Sequence, residues 1–305
     1  PKGEHLPAAD NYKIGLPEIE KPIPTIASAR VVSPLGVGGA GENSHLPKLL
    51  LIEDNPDVVT YLKTCLNDQY QIDIAYNGRI GIEKALETIP DIIISDVMMP
   101  EVGGYEVCDK LKNDERTSHI PIIMLTAKAD LDSKIAGLKR GADAYLSKPF
   151  DKEELLIRLK GMVEKQKNLT AYFTKKFQNG ETPSTINPKG ASHPPSTDLQ
   201  IENEFIQKVR KIVEAHYSDE HFALPNLCQK IGMSRSQLFR KMKALINESP
   251  SAFIRNYRLN KAKELLENSD LNVSEVAWEV GFKDVAHFSK SFQEKFKTQP
   301  SLINK

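Results

Sequence analysis

The chain has 305 residues, and its 41 Lys and Arg balance 41 Asp and Glu, so the formal net charge is zero. Length alone leaves room for two cores of ordinary size. The three cysteines, Cys65, Cys108 and Cys228, lie far apart with neither metal-ligand spacing nor a disulfide framework; no apolar run approaches membrane-spanning length, and no signal peptide opens the chain. A soluble, cytoplasmic chain with reduced thiols is therefore expected. The charge is unevenly spread: residues 46–167 hold 17 basic and 21 acidic side chains, and residues 198–305 hold 17 and 14, which points nucleic acid toward the second half.

Residues 1–46 contain Pro22, Pro24, Pro34 and the run Gly36-Val37-Gly38-Gly39-Ala40-Gly41, and they read as a flexible linker. Within them, Tyr12-Lys13-Ile14-Gly15-Leu16-Pro17 is similar to the closing strand of a histidine-kinase ATPase domain. That resemblance implies a hybrid sensor kinase anchored at the inner membrane, of which this chain is the output end. The alternative is a plain linker or a cloning remnant.

Short apolar runs follow. Lys48 to Ile52, Ile92 to Ser95 and Ile122 to Leu125 each precede turn signals and an amphipathic stretch, as in βα units of a sheet buried on both faces. Gln71 to Tyr76 and Ala144 to Ser147 complete five strands of a flavodoxin-like, doubly wound parallel α/β sheet. In such sheets ligands sit beyond the carboxyl ends of the strands, where the strand order reverses. The residues at those ends are Glu53 and Asp54, Asp96, Thr126 and Lys148. Three converging carboxylates repel one another unless a divalent cation neutralises them, and Mg²⁺ suits hard oxygen donors and leaves positions for phosphate oxygens. A hydroxyl and an ammonium then face the place where negative charge arrives, as phosphoryl transfer requires. Asp96, the single acid on the central strand, is the natural acceptor. Taken singly, a Lys-Pro pair is usually a turn and a strand-end Asp often a helix cap; it is their joint placement at successive strand ends that argues for a site.

Residues 47–167 resemble a response-regulator receiver domain, through Glu53-Asp54, Asp96 with Pro100 and Gly104, Thr126-Ala127, and Tyr145-Leu146-Ser147-Lys148-Pro149-Phe150. The resemblance implies that Glu53, Asp54, Asp96 and the backbone carbonyl of Met98 hold Mg²⁺. It further implies that Thr126 and Lys148 bind phosphoryl oxygens, that Tyr145 reorients between states, and that the peptide before Pro149 is cis. The first acid is Glu53 where Asp is commoner in the family. Two rival classes remain. A Mg²⁺-dependent phosphatase with an Asp nucleophile would place a second acid two residues on, where this chain has Met98. The other rival is an interaction module that works without phosphorylation.

Residues 168–197 read as a second linker, with Pro183, Pro188, Pro194 and Pro195. Beyond it, Leu227-Cys228-Gln229-Lys230-Ile231-Gly232-Met233-Ser234 is echoed by Val276-Ala277-Trp278-Glu279-Val280-Gly281-Phe282-Lys283. Each copy predicts a short helix ended by Gly and followed by a second helix, which makes two helix-turn-helix units. Ser234 and Asp284 are placed to cap the second helices; Leu238, Met242 and Leu245, and Val285, Phe288, Phe292 and Phe296, form their inner faces.

Residues 198–305 resemble the all-α DNA-binding domain of AraC/XylS-type regulators, through both units, the connecting segment Pro250 to Leu266, and Phe288-Ser289-Lys290-Ser291-Phe292. Leu302-Ile303-Asn304 departs from the family's usual ending. The family places both second helices in successive major grooves about 34 Å apart. Carried over, Arg235, Ser236, Gln237 and Arg240 face DNA in the first unit, and Lys283, His287 and Lys290 in the second, with Arg240 the best candidate for base readout. Phe239 fits either the core or a thymine methyl.

Together these expectations describe a two-component response regulator in which Mg²⁺-dependent phosphorylation of Asp96 controls sequence-specific DNA binding and transcription. A histidine kinase domain, in cis or in trans, would be the phosphoryl donor, and the phosphorylated chain would form a homodimer. This segment would itself be no enzyme beyond accepting, and releasing, the phosphoryl group.

Overall fold

A computed structural model describes residues 46–127, 141–178 and 197–303. The expected N-terminal linker, its Tyr12 to Pro17 segment and the proline-rich stretch 179–196 lie outside the described residues.

Strands β1 (Lys48–Ile52), β2 (Gln71–Ala75), β3 (Ile92–Asp96), β4 (Ile122–Ala127) and β5 (Ala144–Lys148) form one parallel sheet in the order β2-β1-β3-β4-β5. This is the expected flavodoxin-like order, which reverses between β1 and β3. Because helices cover both faces, the inner strands lack polar alternation: all of β3 is buried, and β1 from Leu49 onward. Successive residues instead feed two cores. Leu49, Leu51, Ile94, Ile123 and Leu146 pack with α1 (Pro56–Leu66) and the start of α4 (Lys152–Gln178). Leu50, Ile52, Ile93, Met124 and Tyr145 pack with α2 (Gly78–Thr88) and α3 (Gly104–Lys112). The edge strand β2 does alternate, and the predicted last residue, Tyr76, falls outside it.

Helix α4 corrects the expected linker. It runs through residue 178, across positions 168–178 assigned to the linker by composition. The physical reason is a continued apolar stripe: Leu155, Leu159, Met162 and Val163 serve the sheet, and Leu169, Tyr172 and Phe173 pack into the core of the helical half. At 1.5 Å per residue the helix is about 40 Å long, enough to join both halves.

The helical half comprises α5 (Thr197–His216), α6 (Leu224–Ile231), α7 (Arg235–Ile246), α8 (Pro250–Asn268), α9 (Val273–Glu279), α10 (Val285–Phe296) and a 3-10 turn at Pro300–Leu302. The repeated turn works as expected: Gly232 and Gly281 adopt φ +81° and +80°, a region L side chains avoid. Ser234 accepts from the Gln237 amide and Asp284 from the Ala286 and His287 amides, capping α7 and α10. Helix α8 serves both units, with Phe253 and Ile254 in the core around α5 to α7, and Leu259, Ala262 and Leu266 in the core around α9 and α10.

Candidate functional site

Parallel register sets the first site. Ile52 pairs with Ser95, Asp96 with Leu125, and Ala127 with Lys148, so the strand ends finish at one edge. Glu53, Asp54 and Asp96 meet there, with one carboxylate oxygen from each within 4.8 Å of the others. Glu53 is fully buried and Asp96 nearly so, whereas Asp54 and the Met98 side chain are exposed, so the cluster opens to solvent on one side. The Lys148 ammonium lies 2.7 Å from Glu53 Oε2 and 3.1 Å from Asp96 Oδ1. Thr126 is buried beside them, its hydroxyl donating to the Ala127 carbonyl at 3.3 Å. The Lys148-Pro149 peptide is cis.

The electrostatics follow from that packing. Burial pushes the Glu53 carboxyl above its ordinary value; the neighbouring Asp96 charge adds to the rise, and Lys148 opposes it. A buried acid that resists ionisation, next to a second acid, is a place where added positive charge is favourable. Hard oxygen donors are what the residues offer, so the cluster fits a small divalent cation. Tyr145 is buried on β5, paired in register with Met124.

The residues expected to touch DNA divide into two groups. Lys283, His287 and Lys290 are exposed on or just before α10. Lys283 Nζ is 3.3 Å from His221 Nδ1, and His287 packs its ring 5.8 Å from that of Phe282. Arg235 and Ser236 are exposed at the start of α7, but Gln237 and Arg240 reach the first half of the molecule. Gln237 Nε2 donates to the Leu86 carbonyl at 2.7 Å and Arg240 Nη1 to the Ile89 carbonyl at 3.2 Å. Phe239 is exposed rather than part of the core.

Sequence reasoning missed a buried polar cluster between the halves. Lys241 and Glu202 are both essentially inaccessible and pair at 2.7 Å; Ser118 donates to Glu202 Oε1 at 2.6 Å and accepts from Lys241 at 3.1 Å. Lys241 also donates to the Glu115 carbonyl and sits over the Phe205 ring. A signal was present: Lys241 falls on the stripe Leu238, Met242, Leu245, and Glu202 on the stripe Phe205, Ile206, Val209, each where an apolar residue is expected.

Comparison with known proteins agrees with this division. The profile of the response regulator receiver domain matches residues 49–160, and that of a helix-turn-helix domain matches residues 227–305. The chain is 40% identical over 255 residues to Histidine kinase P4 of Formosa agariphila, covering 83% of this chain and 18% of that protein. It is 42% identical over 127 residues to the response regulator ArlR of Staphylococcus saprophyticus, covering 41% of this chain and 56% of that one. The chain thus spans only part of the length of each relative. Among solved structures, a response regulator from Chloroflexus aurantiacus is 34% identical, with a TM-score of 0.38, over 39% of this chain and 98% of that one. The receiver domain of the sensor histidine kinase PA1611 from Pseudomonas aeruginosa, solved with magnesium in its active-site cleft, is 29% identical, with a TM-score of 0.37, over 39% of this chain and 98% of that one. Among the described residues no helix is long and apolar enough to cross a membrane. Residues 49–160 are thus a response-regulator receiver domain and residues 227–305 a helix-turn-helix domain of the AraC type, joined in one chain.

Proposed function

We propose that Asp96 is the phosphoacceptor of a Mg²⁺-dependent switch that controls DNA binding by the helical half. The observation that carries this reading is the placement of Lys148 against both Glu53 and Asp96, in a cluster of three carboxylates at the carboxyl edge of the sheet. Glu53, Asp54, Asp96 and the Met98 carbonyl would hold the ion, which when bound offsets the charge of the carboxylates and the incoming phosphoryl oxygens. An Asp96 carboxylate oxygen attacks phosphorus, the bond from phosphorus to the donor's histidine nitrogen breaks, and the imidazole leaves with the electron pair. Lys148 exchanges a carboxylate contact for a phosphoryl oxygen, and the Thr126 hydroxyl donates to another. Burial of Tyr145 on the same strand as Lys148 supports it as the element that reorients.

A histidine kinase domain supplies the phosphoryl group; similarity to Histidine kinase P4 over most of this chain favours a donor in the same polypeptide. Arg235, Ser236, Gln237 and Arg240, then Lys283, His287 and Lys290, contact successive major grooves, and phosphorylation favours a homodimer. The test is Mg²⁺-dependent binding of beryllium fluoride, which mimics the acyl phosphate. Saturable binding that Asp96→Asn abolishes is expected; binding indifferent to that substitution, or to Mg²⁺, refutes the reading.

A further inference from the structure

Two of the four α7 side chains assigned to DNA are already engaged. Gln237 and Arg240 donate to the carbonyls of Leu86 and Ile89, which belong to the last turn and cap of α2. A helix leaves its last carbonyls unpaired and negative, and basic side chains commonly satisfy them. The last turn of α2 has no basic residue of its own, and Ile89 caps it in the left-handed region with φ 44°. Two side chains of α7 therefore complete the end of a receiver helix.

The contact is seated by the buried cluster one residue further along α7. Lys241 and Glu202 both belong to the helical half, and it is Ser118 of the receiver that bonds to both. The far end of α7 is held as well. The Thr170 hydroxyl and Gln166 amide of α4 donate to the Ala244 carbonyl at 2.6 and 3.3 Å, and the Thr174 hydroxyl donates to the Ile246 carbonyl at 3.1 Å. Helix α4 begins four residues after Lys148, so a single rod leads from the phosphoryl site to the end of α7. A helix enters a major groove about 12 Å wide only if its outward side chains are clear of protein.

We infer that the receiver holds α7 in a closed arrangement in which α2 and DNA compete for Gln237 and Arg240, with Ser118 latching the Lys241–Glu202 pair. This rests on the reading of those two residues as DNA contacts. The closed arrangement forms before DNA binds, and opening it frees the whole face at once, because the cap, the latch and the α4 contacts all lie on one helix.

Hydrogen exchange of the full chain, with and without a duplex selected from a randomised pool by the full chain, reads both partners. DNA is expected to slow the amides of residues 235–240 and to speed those of 87–91, which DNA does not touch. Slowing at 235–240 with no change at 87–91 overturns the closed arrangement and leaves the DNA reading intact. No slowing at 235–240 overturns the DNA reading and the inference with it. Ser118→Arg forces a side chain far larger than the buried Ser118 between Lys241 and Glu202, with the Lys112 ammonium also near, so the latch cannot close around it. It is expected to raise affinity for the duplex at least about tenfold and to speed exchange at 87–91 without DNA. Unchanged affinity in a variant that still binds beryllium fluoride overturns the inference.

Discussion

Replacing Lys148 by Met tests whether its ammonium holds the acidic cluster together. The side chain is only about a quarter exposed and touches two carboxylates at 2.7 and 3.1 Å, one of them fully buried. Removing one partner of a buried pair costs about 3–5 kcal/mol, and partial exposure brings the expectation here to about 2–3 kcal/mol. That corresponds to a drop of roughly 10 °C in the melting of the receiver without metal. The ammonium competes with a cation for Glu53 and Asp96, so Lys148→Met should bind Mg²⁺ with a lower Kd, and at one fixed Mg²⁺ concentration the gain RT ln(1 + [Mg²⁺]/Kd) should be larger in Lys148→Met than in the parent. Acid should also narrow the gap. Glu53 has a raised pKa, so the fold binds that proton more tightly than the unfolded chain, and Glu53 subtracts stability as pH rises through its folded value. Below that value the carboxyl is neutral and needs no cation. Differential scanning calorimetry in EDTA and in Mg²⁺, at two pH values, measures all of this. Equal melting of parent and variant in EDTA, or an equal gain from Mg²⁺, refutes the reasoning.

Gly104→Ala would set a Cβ 2.0 Å from the Asp96 carbonyl oxygen and 2.8 Å from Met124 Cε, and the backbone cannot yield. A loss of about 3 kcal/mol or more in urea unfolding is expected, with loss of beryllium fluoride binding because Asp96 is displaced; parental stability would show that the turn has room. His119 is buried, its Nδ1 without a hydrogen-bond partner among the described residues, and burial, with Lys241 and Lys112 nearby, pushes its pKa well below 6.5. Such a group contributes stability that is whole above 6.5 and lost as pH falls through the folded pKa, so His119→Leu should flatten the acid limb of a stability-against-pH curve. An unaltered limb would place the titration elsewhere. Lys290→Ala should weaken binding about equally for all duplexes and reduce the slope of log affinity against log salt by about 1. A change in sequence preference would mean that it reads bases.

The receiver was legible because its signals are local and redundant. Apolar runs fix the strands, and each functional residue immediately follows one, so Asp96 and Lys148 needed only parallel register to meet. The helical half was legible through its repeat, whose Gly232 and Gly281 do need positive φ. What composition hid was the extent of α4: residues 168–178 stand next to a proline-rich stretch and read with it as linker, yet Leu169 and Phe173 continue the stripe. The contact between the halves was less accessible still. Ser118 lies 84 residues from Glu202 in the chain, and no short-range pattern reports a pairing at that distance. Only the two charges on apolar stripes hinted that something buried would have to answer them.

Helix α8 has its first half in one core and its second half in the next. The two helix-turn-helix units therefore keep a fixed rotational phase, like teeth cut on one shaft. An operator read by both has a spacing dictated by the protein. One added base pair between its halves turns the second about a tenth of a helical turn away, and only distortion of the DNA could return it.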